Sequence, residues 1–97
     1  MLTHTIYKVP NGKMVRLEME YDQERINDIV ISGDFFMHPE DAIDLLEQAL
    51  IGIEIKESKI TETIKQVVEQ ENIEFFGVDI PSLTRAIMIC AGKIKTN

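Results

Sequence analysis

The sequence is poor in the residues from which independent active sites are built. It contains one cysteine, Cys90, and two histidines, His4 and His38. A single cysteine cannot form an internal disulfide, and these residues supply no cluster for zinc or an iron–sulfur centre. His38 precedes Pro39, a position more typical of an element boundary than of a general base. With no Ser-His-Asp pattern, Walker loop or G-x-G-x-x-G segment, the sequence lacks candidate machinery for a self-contained enzyme.

Long apolar runs and an excess of positive charge are also missing. No stretch approaches the ~20 apolar residues of a membrane span, and the N-terminal segment MLTHTIYKVP lacks the layout of a signal peptide. The formal net charge of −7 opposes broad nucleic-acid binding and binding to anionic membranes, because both need a positive surface. These absences predict a cytoplasmic protein whose partners are neither nucleic acids nor membranes.

The length and composition are those of one small globular domain. The chain has 97 residues, of which 44% are hydrophobic and 28% charged. A chain of this size buries roughly 60–65% of its unfolded surface. We therefore expect a single domain over residues 1–97, with one core and little room for a deep private active site.

The first third of the sequence has the alternation of an antiparallel sheet. Val15, Leu17 and Met19 fall on one face of a half-buried strand, and charged residues fall on the other. Strands are predicted over residues 3–9, 14–21 and 26–33, with turns at residues 10–13 and 22–25. This pattern predicts a three-stranded meander.

The rest of the sequence changes to helical spacing. Pro39 is expected at the first position of one helix, Ser58 is expected to cap a second, and Pro81 falls in the first turn of a third. Gly52, Asn72 and Gly92 are the expected ends of these helices, and residues 73–78 form a connection or a short extended segment. Strands followed by helices predict an α+β fold, with about three helices on one sheet face.

The segment ISGDFFMHPED places a carboxylate and two aromatic rings at a strand-to-helix crossing. Asp34 follows Gly33 at the strand end, where we expect its carboxylate to fix the loop by accepting bonds from backbone amides rather than to act as a catalytic acid. Phe35 and Phe36 face opposite sides if the segment is extended, so one can enter the core while the other meets a partner. The Phe75-Phe76 pair before Gly77 repeats the arrangement, and both pairs can also be core residues alone.

Two other polar features have ordinary structural interpretations. Gly12-Lys13 is weak as a phosphate-binding loop and is more typical of a hairpin turn. Glu40, Asp44 and Glu47 share a helix face that could hold a cation, although a solvated face is far more common. Neither feature by itself defines a functional site.

The order of these features is more specific than any one of them. The segment KVPNGKMVRLEMEYDQERINDIVISGDFFMHPEDAIDLLEQALIG, residues 8–52, resembles the accessory domain of lipoate–protein ligases. It has a basic residue, a Gly-Lys turn, an alternating strand, an acidic turn, a strand ending in Gly-Asp-Phe-Phe, and a Glu-rich helix ending in Leu-Ile-Gly. The remainder matches loosely, through the second helix and the Gly77-Val78-Asp79 segment before the last helix.

This resemblance implies a separate small subunit that works beside a catalytic subunit. Lipoate, ATP and Mg²⁺ would bind to that partner, while this chain binds no cofactor alone and supplies no catalytic residue or metal ligand. The accessory part is implied to be needed for activation of lipoate to lipoyl-AMP, and less so for transfer to the acceptor lysine. Candidate residues facing the partner or the adenylate site are Lys8, Gly12, Lys13, Arg16, Gly33, Asp34, Phe35 and Phe36.

Three alternatives stay open from the sequence. An iron–sulfur assembly scaffold would need several cysteines or an exposed reactive one, whereas Cys90 is expected in the core. A small independent enzyme would use Asp34 and Lys13 and would act without a partner. A homo-oligomeric binding or regulatory module would use its sheet face or a sheet edge.

Overall fold

A computed structural model of the chain, which describes residues 1–95, confirms the predicted α+β class. A three-stranded antiparallel sheet, in the order β1-β2-β3, is followed by three helices, and a second sheet pairs β4 with β5. The elements are β1 (Leu2–Lys8), β2 (Met14–Asp22), β3 (Arg25–Gly33), β4 (Phe36–His38), α1 (Ala42–Leu50), α2 (Glu57–Glu71), β5 (Glu74–Phe76) and α3 (Ile80–Cys90).

The large sheet follows the predicted alternation. Val15, Leu17 and Met19 are at most 1% exposed, because every second residue of β2 points toward the helices. A bulge between Glu20 and Tyr21 shifts the register of β2 against β3. The three predicted strands are each found, with ends that differ by about one residue, which is the usual uncertainty of strand boundaries.

The helices cover one face of this sheet and leave the other open. Helix α3 lies on β1 and β2, α1 lies on β3, and α2 packs against both helices. Their apolar stripes join the inner face of the sheet in a single buried cluster, which includes Leu46, Leu50, Ile60, Ile64, Leu83 and Ile87. On the opposite face the side chains of Ile6 and Val30 stay about half exposed. None of the helices within residues 1–95 has the length and apolar character needed to cross a membrane.

Two of the predicted helix starts are wrong. Pro39 is not in the first helix, because residues 36–38 pair with β5 and the chain then makes a turn in which Ala42 N–H donates to Pro39 O at 3.0 Å. Ser58 does not cap α2, because Lys56 is the N-cap residue and no side chain caps this helix. The predicted helix ends are correct, since the helices stop at Leu50, Glu71 and Cys90, one or two residues before the expected Gly52, Asn72 and Gly92.

Helix α3 has a side-chain cap, which gives a testable contrast with α2. Asp79 Oδ1 accepts a hydrogen bond from Ser82 N–H at 2.8 Å. We expect Asp79→Ala to lower the free energy of unfolding by about 1 kcal/mol, because an orphan amide loses its partner. Ser58→Ala is the matched control and should change it by less than about 0.5 kcal/mol. Urea denaturation of both variants checks this, and equal losses would contradict the assignment of the caps.

Candidate docking site

An exposed pair of aromatic rings marks the small two-stranded sheet. Phe36 of β4 lies directly opposite Phe76 of β5, with ring centroids 6.0 Å apart and a tilt of 45° between the planes. The two residues are 62% and 52% exposed, whereas Phe35 and Met37 on the other face are 8% and 5% exposed. The exposed rings, here called the Phe36–Phe76 patch, form a cross-strand aromatic pair that faces solvent.

The hairpin turn between β1 and β2 docks on the loop that follows β5. Within the turn, Val9 N–H donates to Lys13 O and Gly12 N–H donates to Val9 O, both at 2.9 Å. Lys13 N–H then donates to Gly77 O at 2.8 Å, which ties the turn to the end of β5. The hairpin interpretation of Gly12-Lys13 is therefore confirmed. Because Gly77 directly follows Phe76, the same bond also places Phe76 next to the turn.

The glycines around this junction allow the backbones to approach closely. A Cβ atom at Gly12 would lie 2.6 Å from Gly77 O, and one at Gly77 would lie 2.5 Å from Cγ of Lys13. Gly33 has a φ of +151°, and a Cβ there would overlap Met14 O and lie 2.9 Å from the Phe35 ring. At Gly33 and Gly77 only glycine combines a positive φ with this lack of space, and at Gly12 the missing Cβ leaves room for Gly77 O.

Lys8 contributes to the turn itself. Its ammonium group donates to Val9 O at 2.9 Å and to Gly12 O at 2.7 Å. The charge is thus used to stabilise the hairpin by charge-assisted hydrogen bonds. Lys13 differs, because its aliphatic part lies over Gly77 and its side chain is exposed. Lys13 is therefore the basic residue of the turn that is available to a partner.

The expected role of the Asp34 carboxylate in fixing the loop is wrong. Asp34 is exposed, and within residues 1–95 its carboxylate accepts no hydrogen bond. Its backbone N–H, instead of its side chain, fixes the loop by donating to Met14 O at 3.1 Å. Arg16 lies on the open face of the large sheet, between Ile6 and Ser32, and is exposed.

Most of the candidate residues converge at one corner of the molecule. Direct contacts join the turn, the end of β3 and the small sheet through Gly12, Lys13, Gly33, Asp34, Phe35 and Phe36. Lys8 supports this corner from within the turn, and Arg16 stands apart on β2. Sequence reasoning left out Phe76 and Gly77, although the repeated Phe-Phe pair before a glycine was the signal that could have found them.

The remaining reactive groups have structural partners. Cys90 is 5% exposed, as predicted, and lies 3.4 Å from Thr3 Oγ1, which also donates to Cys90 O at 2.9 Å. Burial raises the pKa of the Cys90 thiol, although the Thr3 hydrogen bond lowers it in part. A buried, protonated thiol disfavours the iron–sulfur scaffold, which needs an exposed one.

The acidic face of α1 is also used structurally. Glu47 Oε2 accepts a hydrogen bond from Ile31 N–H of β3 at 2.7 Å, so one of the three carboxylates holds the helix to the sheet. Within residues 1–95, no three His, Cys, Asp or Glu side chains come together as potential metal ligands.

Comparison with known proteins identifies the family. Residues 6–87 match the family described as the bacterial lipoate protein ligase C-terminus. The chain belongs to this family. The matched segment includes every candidate residue at the corner, together with Phe76 and Gly77. The family assignment agrees with the resemblance inferred from the order of the sequence features.

Two matches from Thermoplasma acidophilum, one in sequence and one in structure, add to the family comparison. Lipoate-protein ligase A subunit 2 is 46% identical over 64 residues, a segment that spans 66% of this chain and 65% of that protein. A chain in the solved structure of a bipartite lipoate protein ligase and its E2 lipoyl domain is 37% identical. It superposes with a TM-score of 0.78 over 90% of this chain and 94% of its own length.

Proposed function

We propose that this chain is the non-catalytic accessory subunit of a two-chain lipoate–protein ligase. It acts with a catalytic subunit in the ATP-dependent activation of lipoate to lipoyl-AMP. The observation that carries the proposal is the agreement in fold with a chain of the archaeal bipartite ligase structure, at a TM-score of 0.78 over 94% of that chain. In this proposal lipoate, ATP and Mg²⁺ bind to the catalytic subunit.

The Phe36–Phe76 patch is the part of the surface best suited to bind the catalytic subunit. Two large rings that are 62% and 52% exposed are costly in water and are typical of the residues that dominate binding energy at interfaces. The rings are held by strand pairing and by the Gly77 junction, so little side-chain or loop freedom is lost on binding. The patch is thus a rigid aromatic anchor.

A bound accessory subunit can promote adenylation without supplying a nucleophile. Adenylation requires the carboxylate and the triphosphate to be held in line while water is excluded. A small rigid domain that closes over the partner's site meets both requirements. Lys13, exposed beside the Phe36–Phe76 patch, would place one positive charge toward nucleotide phosphates or an acidic surface of the partner.

The first experiment is lipoyl-AMP formation from lipoate and ATP by the catalytic subunit, with and without this chain. We expect activation only when both chains are present, together with their co-elution in gel filtration. Activation by this chain alone would instead establish a small independent enzyme. Equal rates with and without it, and separate elution, would show that the family likeness concerns the fold and not this function.

Lys13 separates the contribution of charge from that of packing. We expect Lys13→Ala to lower lipoyl-AMP formation about tenfold while the isolated chain stays folded, since one charge-assisted contact contributes about 1.5 kcal/mol. Lys13→Met is the matched control, because it keeps the aliphatic contact with Gly77 and removes only the charge. A loss in both variants indicates that the charge is used, whereas full activity in Lys13→Met would remove it from the mechanism.

A further inference from the structure

The two edges of the large sheet differ in how they are closed. At the β3 edge, Ile26 N–H donates to Ile53 O at 3.1 Å, and Ile26 O accepts from Gly52 N–H at 2.7 Å. Ile31 N–H is bound by the Glu47 carboxylate on the same edge. The outer edge of β1 has no such cover, because no segment within residues 1–95 pairs with it.

The free groups on the β1 edge follow from the hydrogen bonds of its first and last residues. Met1 and Tyr21 exchange both backbone hydrogen bonds, and Val9 N–H donates to Lys13 O. The backbone N–H and C=O groups of the odd-numbered residues of β1 therefore point toward β2. Since antiparallel strands alternate, the even-numbered residues present their N–H and C=O groups to the outer edge. These residues are Leu2, His4, Ile6 and Lys8.

The β1 edge lacks most of the devices that keep a sheet edge from pairing, and its one lysine, Lys8, stands at the end of the strand with its ammonium group bound within the hairpin turn. It contains no proline, its pairing with β2 shows no bulge, and its inward residues Thr3, Thr5 and Tyr7 carry no charge. Leu2 and Ile6, which alternate on the open face, are 78% and 54% exposed. A seven-residue edge of this kind is a template for another strand.

We propose that β1 pairs with β1 of a second copy of the chain, antiparallel and centred on Thr5. In this register Leu2 lies opposite Lys8 of the second copy, and His4 lies opposite Ile6. These residues are the ones whose backbone groups face the edge, so every opposed pair can exchange both hydrogen bonds. Registers centred one residue away on either side leave an end of the strand unpaired. The product is a continuous six-stranded sheet.

The charges and apolar residues of the open face support the second copy as the occupant. Within each copy, β1 and β2 place Leu2 beside Glu20, His4 beside Glu18 and Ile6 beside Arg16. The two-fold pairing therefore sets the acidic half of one open face beside the basic half of the other, and it places no like charges directly opposite. Leu2 of one copy also becomes the diagonal neighbour of Ile6 of the other.

Molar mass measured by light scattering after gel filtration tests this proposal with the chain alone. We expect a mass that approaches twice 11.1 kDa at high concentration. Ile6→Pro should return it to the mass of one chain, because the lost N–H faces the edge and not β2. Ile6→Thr keeps that N–H and should still form the dimer. Circular dichroism shows whether each variant is folded.

A cysteine at the two-fold centre gives a second test that does not depend on affinity. Thr5 would face its own copy at about 4.5 Å between Cα atoms, so Thr5→Cys should form an intermolecular disulfide on mild oxidation. Leu2→Cys is the control and should not, because its two copies would lie about 20 Å apart. The unsubstituted chain controls for Cys90.

A mass of one chain at every concentration, or equal cross-linking of Thr5→Cys and Leu2→Cys, would overturn the proposal. Loss of binding to a catalytic subunit in Ile6→Pro, with an unsubstituted chain that is monomeric alone, would assign the edge to that subunit instead. Because the mass and cross-linking measurements use only this chain's self-association, their failure is distinct from failure of the proposed function.

Discussion

Phe36→Asp is expected to weaken binding to the catalytic subunit on the order of 100-fold, equivalent to about 3 kcal/mol, and to lower lipoyl-AMP formation accordingly. The substitution removes one of the two exposed rings of the Phe36–Phe76 patch and would place a carboxylate in a desolvated contact. The fold should survive, because Phe36 is 62% exposed and its neighbours Phe35 and Met37 provide the buried contacts of this segment.

The matched control for this result is Ile51→Asp. Ile51 is an exposed apolar residue, at 41%, just beyond the end of α1 and outside the small sheet. Titration calorimetry of each variant against the catalytic subunit gives the affinity. Equal affinities for Phe36→Asp, Ile51→Asp and the unsubstituted chain would show that the patch is not the docking site. Because Phe36 and Phe76 touch, Phe76→Asp combined with Phe36→Asp should cost less than the sum of the two.

Gly33→Ala is expected to be the most destabilising single-methyl change in the chain, lowering the free energy of unfolding by about 3 kcal/mol. A Cβ atom at Gly33 would overlap Met14 O, a backbone atom that cannot move aside without disturbing β2. The same Cβ would press on the Phe35 ring, and the φ of +151° is one that side chains with a Cβ rarely adopt.

Gly52→Ala separates the two causes of this loss. Gly52 also has a positive φ, +85°, but a Cβ there would meet nothing within 4 Å. It should therefore show only the backbone strain, about 1 kcal/mol. Urea denaturation of both variants at one temperature makes the comparison. Similar losses at the two positions would mean that Met14 O and the Phe35 ring make room for the methyl group at Gly33 and that conformation alone accounts for the effect.

The fold of this chain was largely predictable because its signals are local. The alternation of Val15, Leu17 and Met19 defines one strand without reference to the rest of the molecule, and Gly52 and Asn72 end their helices by their own conformations. The helix starts were harder to predict. Ser58 and Lys56 both precede an apolar stripe, and only the backbone path from residues 53–55 decides which of them is the cap.

The candidate site was only partly predictable because its contacts are distant in sequence. Phe36 was identified as one of two alternating rings, but nothing near it indicates that Phe76 lies opposite. The bond from Lys13 N–H to Gly77 O joins segments that no periodicity relates. The role assigned to the Asp34 side chain belongs to its backbone N–H, a distinction that depends on where Met14 lies.

The bond between Thr3 and the carbonyl group of Cys90 has a consequence for how the protein is made. The two residues are 87 positions apart, and the helix that carries Cys90 covers the inner face of β1 and β2. During translation that face stays uncovered until residues 80–90 have been synthesised. Closing so long a loop also slows folding relative to a helical bundle of this size. The ribosome and its chaperones therefore meet a nascent chain whose first strands stay uncovered until the helix that carries Cys90 has been translated.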